Sequence, residues 1–135
     1  MKSAELRIGN LVAINGRGVD CIYQVTSIDQ DTIDAKCINR CDPFKEVYNE
    51  PLGNVRPIEL NDKLNTQLGF TWSNHVDGYR RDYIELTLFM DLMPIDDGQG
   101  YAVHWDYNWL CSTSYAHIVQ NIYYALTGQE LTILT

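Results

Sequence analysis

Apolar residues along this chain change their spacing three times, and the changes divide it into four regions. From Glu5 to about Ile58 they come as short alternating runs broken by turn residues, the pattern of a small, strongly bent sheet. Leu6 and Ile8 lead into Gly9-Asn10, and Leu11, Val12 and Ile14 lead into Asn15-Gly16-Arg17-Gly18. Asn-Gly tolerates the positive φ of a tight turn, so a hairpin is expected there, with Val19, Cys21, Tyr23 and Val25 alternating along the return strand. Asp29-Gln30-Asp31 predicts the next turn, and Ile33, Ala35 and Cys37 the third strand. Weaker extended pieces follow around 46–48 and 55–58. Pro43, Pro51 and Pro57 lack a ladder donor and restrict those pieces to edges or loops. Five such strands predict a closed SH3-like barrel over residues 1–60.

The second region is a short helix from Asn61 to about Leu68. Asn61 is suited to an N-cap, Asp62 favours the positive end of the helix dipole, and Gly69 can end the helix. Leu60, Leu64 and Leu68 form one thin apolar stripe, expected to lie across an open end of the barrel, with Phe70 anchoring the exit. From Thr71 to about Trp109 the pattern is again extended. Asp77-Gly78 is a turn, Tyr83 to Met90 is a nearly continuous β-branched, aromatic and apolar run, and 94–100 is a loop. Tyr101, Val103, Trp105 and Tyr107 then share one side of a strand, with Ala102, His104 and Asp106 on the other.

The clearest element is last. Tyr115, Ile118, Val119, Ile122 and Leu126 recur at the three-and-four spacing of one helix face. One of Ser112, Thr113 or Ser114 is expected to cap its start, and Gly128 to end it. The predicted architecture is α+β: an N-terminal barrel-like part (1–60), then a helix, antiparallel strands and a packed C-terminal helix (61–135), within a single domain.

Charge changes this picture more than length does. The chain has 135 residues and a formal charge of −8. All ten basic residues lie at or before Arg81, where eleven acids meet them, and residues 82–135 hold seven acids and no Lys or Arg. A field of that sign repels phosphate backbones, so direct DNA or RNA binding is not expected, whereas a basic protein surface would be attracted. The first fifteen residues lack the apolar run of a signal peptide, and no window approaches a spanning helix, which predicts a cytoplasmic protein without membrane association. In that compartment Cys21, Cys37, Cys41 and Cys111 are expected as thiols acting as small apolar fillers.

Catalytic chemistry finds little support. Cys37 and Cys41 lack the paired knuckles of a zinc site, and Asp29 to Asp34 lacks the glycine and terminal glutamate of a calcium loop, so neither a metal nor a cofactor is expected. His104 and Asp106, on one strand face and within reach of Glu85, have acid–base geometry without a nucleophile. His75 and His117 read as a loop and a helix-flank residue. No Gly-x-Ser-x-Gly elbow or glycine-rich phosphate loop is present. Binding chemistry is more visible. Arg80-Arg81, the one adjacent basic pair, stands among Trp72, Tyr79 and Tyr83, so the guanidinium groups could grip a phosphate while a ring stacks on a base. The competing use is pairing with Asp77 and Asp82 at the surface. Trp105, with Tyr107 and Trp109, could supply recognition anchors or core packing.

Three segments together, residues 5–12, 56–70 and 115–131, resemble a family of small uncharacterised proteins from phages and prophages of Bacteroidetes bacteria. The matching positions are helix stripes, caps and turns, about a third of the chain, so the resemblance implies a shared fold and a phage context and transfers no catalytic residue. The non-matching stretch from Thr71 to Trp109 is where a specific function is expected. Three functions follow as expectations: a non-catalytic protein that inhibits a host defence or nucleic-acid enzyme through its acidic, aromatic surface, sequestration of a small nucleotide at Arg80 or Arg81, or a structural virion module. A homodimer is expected from the surplus of aromatic residues.

Overall fold

The computed structural model describes every residue except 19, 43–44, 84–87, 99 and 134–135, and it is α+β. The chain forms two compact units, Met1–Ile58 and Glu59–Thr135. Among the described residues no helix is long and apolar enough to cross a membrane.

The first unit is a five-stranded antiparallel sheet of β1 (Leu11–Ile14), β2 (Tyr23–Ile28), β3 (Thr32–Cys37), β4 (Glu46–Pro51) and β5 (Val55–Pro57), in the order β4-β3-β2-β1-β5. Five strands form, but β2 begins at Tyr23, beyond Cys21, and pairs Val12 with Tyr23 and Leu11 with Gln24, so β1 and β2 are joined by a longer connection than the tight Asn15-Gly16 hairpin expected. The sheet also stays open, because β4 and β5 each pair with one neighbour and not with each other. Both carry a proline at the last position, where the missing N–H does least harm. Alternation places Val12, Ile14, Tyr23, Val25, Ile33, Ala35 and Val47 in one buried cluster. Val19 and Pro43 lie outside the described residues.

The cysteines of this unit depart from the expectation: Cys21 and Cys41 are joined in a disulfide, while Cys37 and Cys111 are free. The cause is local. The backbone of Ile38 donates to Ile22 (2.9 Å), and the amide of Asn39 bridges the same two segments by donating to the Asp20 carbonyl (2.6 Å) and accepting from Ile22 (3.2 Å). Those bonds bring the two Cα atoms to 5.1 Å, within the range a disulfide spans.

The second unit is an antiparallel meander, β6 (Thr71–Ser73), β7 (Gly78–Tyr83), β8 (Leu88–Pro94), β9 (Tyr101–Trp105) and β10 (Asn108–Thr113), in the order β10-β9-β8-β7-β6, with α1 (Asp62–Gln67) before it and α2 (Ala116–Thr127) after it. Helix α1 is as expected: the Asn61 side chain accepts from the Leu64 N–H at 2.8 Å, Gly69 takes φ +90°, and Leu64 and Leu68 are buried. The run expected across 83–90 is two strands, with Tyr83 paired to Leu88. Residues 84–87, Glu85 among them, lie outside the described residues.

Strand β10 departs from the reading in which extended structure ran on past Tyr107. The chain reverses at Asp106-Tyr107, with φ +49° and +69°, and Trp105 pairs with Asn108. Two residues at positive φ make the tight turn whose twist matches a hairpin, a position usually taken by Asn or Gly. No glycine marks the turn, so the sequence pattern runs through it.

Helix α2 forms, but turned on its axis. Ala116, His117, Val119, Gln120 and Tyr123 are the buried positions, whereas Tyr115 and Leu126 of the predicted stripe are exposed. The Gln120 amide donates to the buried Leu131 carbonyl at 2.8 Å, so the segment after the helix occupies part of its buried side. Its start has no side-chain cap: Thr113 Oγ1 accepts from the backbone N–H of Tyr115, which is itself the N-cap. Gly128 ends it in the left-handed conformation, φ +72°.

Candidate binding face

Register sorts the second sheet into two chemically different sides. Residues paired across antiparallel strands share a face, so Tyr79 with Leu92, Arg81 with Met90 and Trp105, and Val103 with Leu92 define one side. This side meets the helices: the Tyr123 ring stands edge-on to Tyr83 at 6.5 Å, and the Tyr79 hydroxyl donates to Asp62 at 2.7 Å. Burial first, and then the bond to the Asp62 carboxylate, pushes the Tyr79 pKa up to about 12.

The opposite side carries Arg80, Asp82, Phe89, Asp91, Met93 and His104. Arg80 and Asp91 face each other in register and pair in two-pronged fashion, Nε to Oδ1 at 2.7 Å and Nη2 to Oδ2 at 3.0 Å. Asp91 is only 2% exposed, a carboxylate that persists in so dry a place because a guanidinium fork satisfies both its oxygens. The same guanidinium lies 3.8 Å over the Phe89 ring and 5.5 Å from that of Tyr107. Those two rings meet edge-to-face at 4.8 Å. Hydrogen bonding to Asp91 raises the already high pKa of Arg80, so it stays charged throughout the accessible range.

The residues singled out from the sequence therefore divide. Arg80 and His104 lie on the outer side; Trp72, Tyr79, Arg81, Tyr83 and Trp105 belong to the helix side, since Trp72 is paired with Tyr79 and touches its ring edge-on at 5.2 Å. Asp106 is in the turn and not on a strand face with His104. Neither arginine has the partners weighed from the sequence, Asp77 and Asp82. Arg80 takes Asp91, and Arg81 donates to the Leu68 carbonyl at 3.2 Å and to the Tyr123 hydroxyl at 3.4 Å. A groove of about 400 Å³ beside β6 is lined by Trp72, Arg80, Arg81 and Asp82, among others.

Of two further features, sequence reasoning missed one and left the other open between recognition and core packing. One is Asp91, whose signal was legible: it is the single charged residue in the otherwise apolar Leu88–Pro94. The other is the hairpin tip. Tyr107 and Trp109 are 63% and 62% exposed, Leu110 is exposed beside them, and β10 is an edge strand without a charged residue. A second pocket, of about 370 Å³, lies on this side, and its lining includes His75, Asp77, Asp91, Met93, His104 and Tyr107. Among the described residues no cluster of three or more His, Cys, Asp or Glu side chains is placed to hold a metal ion.

Comparison with known proteins adds no relative: no family model, no curated protein and no solved structure matches the chain.

Proposed function

We propose that the protein is a non-catalytic binding protein whose second unit engages a basic surface on another macromolecule. The observation that carries this reading is the pair of bare aromatic side chains at the β9–β10 hairpin, Tyr107 and Trp109, on a unit with ten acids against three basic residues, a net charge of −7. Aromatic anchors supply contact energy, and the surrounding negative field supplies attraction and orientation. The phage context implied by the sequence resemblance makes a host enzyme, one that handles nucleic acid or defends the cell, the natural target in the host cytosol. Charge mimicry of a phosphate backbone is a fitting mode of inhibition. In the first unit, the strand order β4-β3-β2-β1-β5 supports an SH3-like reading, with the barrel left open.

The test is retention of bacterial lysate proteins on the immobilised chain at low and high salt. A basic protein held at low salt and released as salt rises is expected; retention indifferent to salt, or of no basic protein, contradicts the reading. The groove lined by Trp72, Arg80 and Arg81 favours a second reading, capture of a small nucleotide. It is the weaker one, because Asp91 already holds Arg80 and Asp82 lines the same groove. Thermal denaturation with a panel of nucleotides separates the two, since only the second expects a shift.

A further inference from the structure

The pocket beside Tyr107 has an uneven charge balance. Asp91 gives both its oxygens to Arg80, so that carboxylate is neutralised in place. The Asp77 side chain, in the turn between β6 and β7, has no hydrogen bond or ion pair among the described residues, nor does that of His75, and Nδ1 of His104 is buried without a partner. The uncompensated charge at the pocket is therefore the single negative charge of Asp77, within a unit of net −7. An anion would meet the open carboxylate of Asp77 there. A cation meets one open carboxylate, a largely bare phenol ring and unpaired imidazoles.

The shape of the cation follows from what this side of the sheet already accommodates. Arg80 shows a planar guanidinium stacked against Phe89 and near Tyr107 while forked onto a carboxylate, the combination for which arginine is better suited than lysine. We propose that the pocket lined by Asp77, His104 and Tyr107 is a socket for the guanidinium of an arginine side chain on the basic partner. The proposal rests on the protein-binding reading and supplies its point of attachment. A volume of about 370 Å³ accommodates such a side chain together with ordered water. Tyr107 holds a left-handed backbone, φ +69°, that a tyrosine rarely adopts, and this turn directs its ring toward Arg80 and Phe89.

The experiment is a titration of the full chain with N-acetyl-arginine amide, followed by nuclear magnetic resonance at the Met93 methyl and the His75 and His104 imidazoles. N-acetyl-lysine amide and the uncharged N-acetyl-citrulline amide are run alongside. Saturable shifts at these three residues are expected with the arginine compound, several-fold weaker with lysine and absent with citrulline. Asp77→Asn keeps a side chain tolerant of the left-handed backbone at φ +53°, and is expected to weaken binding roughly tenfold, as for loss of a charge-assisted pair. Equal shifts from citrulline or lysine, shifts centred elsewhere, or binding unchanged by Asp77→Asn would overturn the socket. Because the probe is a single residue, its failure removes the socket and leaves protein capture through the hairpin standing, whereas failure of lysate capture with the probe still bound removes the partner and, with it, the role given to the socket.

Discussion

Asp91 shows how one buried charge organises a sheet face. Its partner Arg80 keeps partial access to water whereas Asp91 has almost none, so removing the carboxylate leaves a guanidinium without its counter-charge over an aromatic ring. Asp91→Ala is expected to destabilise the second unit by about 3 kcal/mol, and Asp91→Leu combined with Arg80→Met by much less; urea unfolding of the two variants beside the wild type decides it. Tyr79 behaves differently. Its pKa in the folded chain, about 12, lies above the ordinary value of 10, so its contribution is fully present below pH 10 and is lost as pH rises toward 12. Stability of the second unit should fall across that window, and Tyr79→Phe, which cannot ionise, should flatten the fall. Ultraviolet titration of tyrosinate alongside circular dichroism follows both. Local chemistry of this kind was only half legible from sequence. Arg80 drew notice as part of a basic pair, but the pairing partner sits eleven positions on, and only strand register makes them neighbours.

Among the elements, several caps and turns were read well, although the expected side-chain cap of α2 and the tight turn at Asn15-Gly16 did not form. Asn61 and Gly69 bound α1, Gly128 ends α2, and Asp29-Gln30-Asp31 turns β2 into β3, because caps and turns depend on a few adjacent residues. Gly128→Ala, where an added Cβ meets nothing within 4 Å, tests this: the left-handed conformation alone should cost about 1 kcal/mol in thermal unfolding. What was misread depends on contacts distant in sequence. The buried side of α2 is selected by Tyr83, Arg81 and the returning Leu131, and no helical periodicity contains that information. The β9–β10 turn was hidden for another reason: Asp106 and Tyr107 adopt backbone angles that their residue types do not announce.

For the whole molecule, the division into units gives each its own means of stabilisation. The Cys21–Cys41 bridge spans a separation of 20 residues in the first unit, and closing such a loop limits the unfolded chain by about 3 kcal/mol. Reduction is therefore expected to lower the unfolding midpoint of the first unit and leave that of the second nearly unchanged, as differential scanning calorimetry with and without reductant would show. The acidic excess belongs to the second unit, and so do the hairpin aromatics and the Asp77 pocket. The charge asymmetry was plain from sequence; the outward direction of Tyr107 and Trp109, on which the binding proposal stands, was not. The most direct test of that proposal compares capture of a basic partner by the wild-type chain and by Tyr107→Ser/Trp109→Ser, matched for thermal stability. The partner should be retained by the wild type and lost from the double variant, and equal retention by both would contradict the assignment of this hairpin as the binding surface.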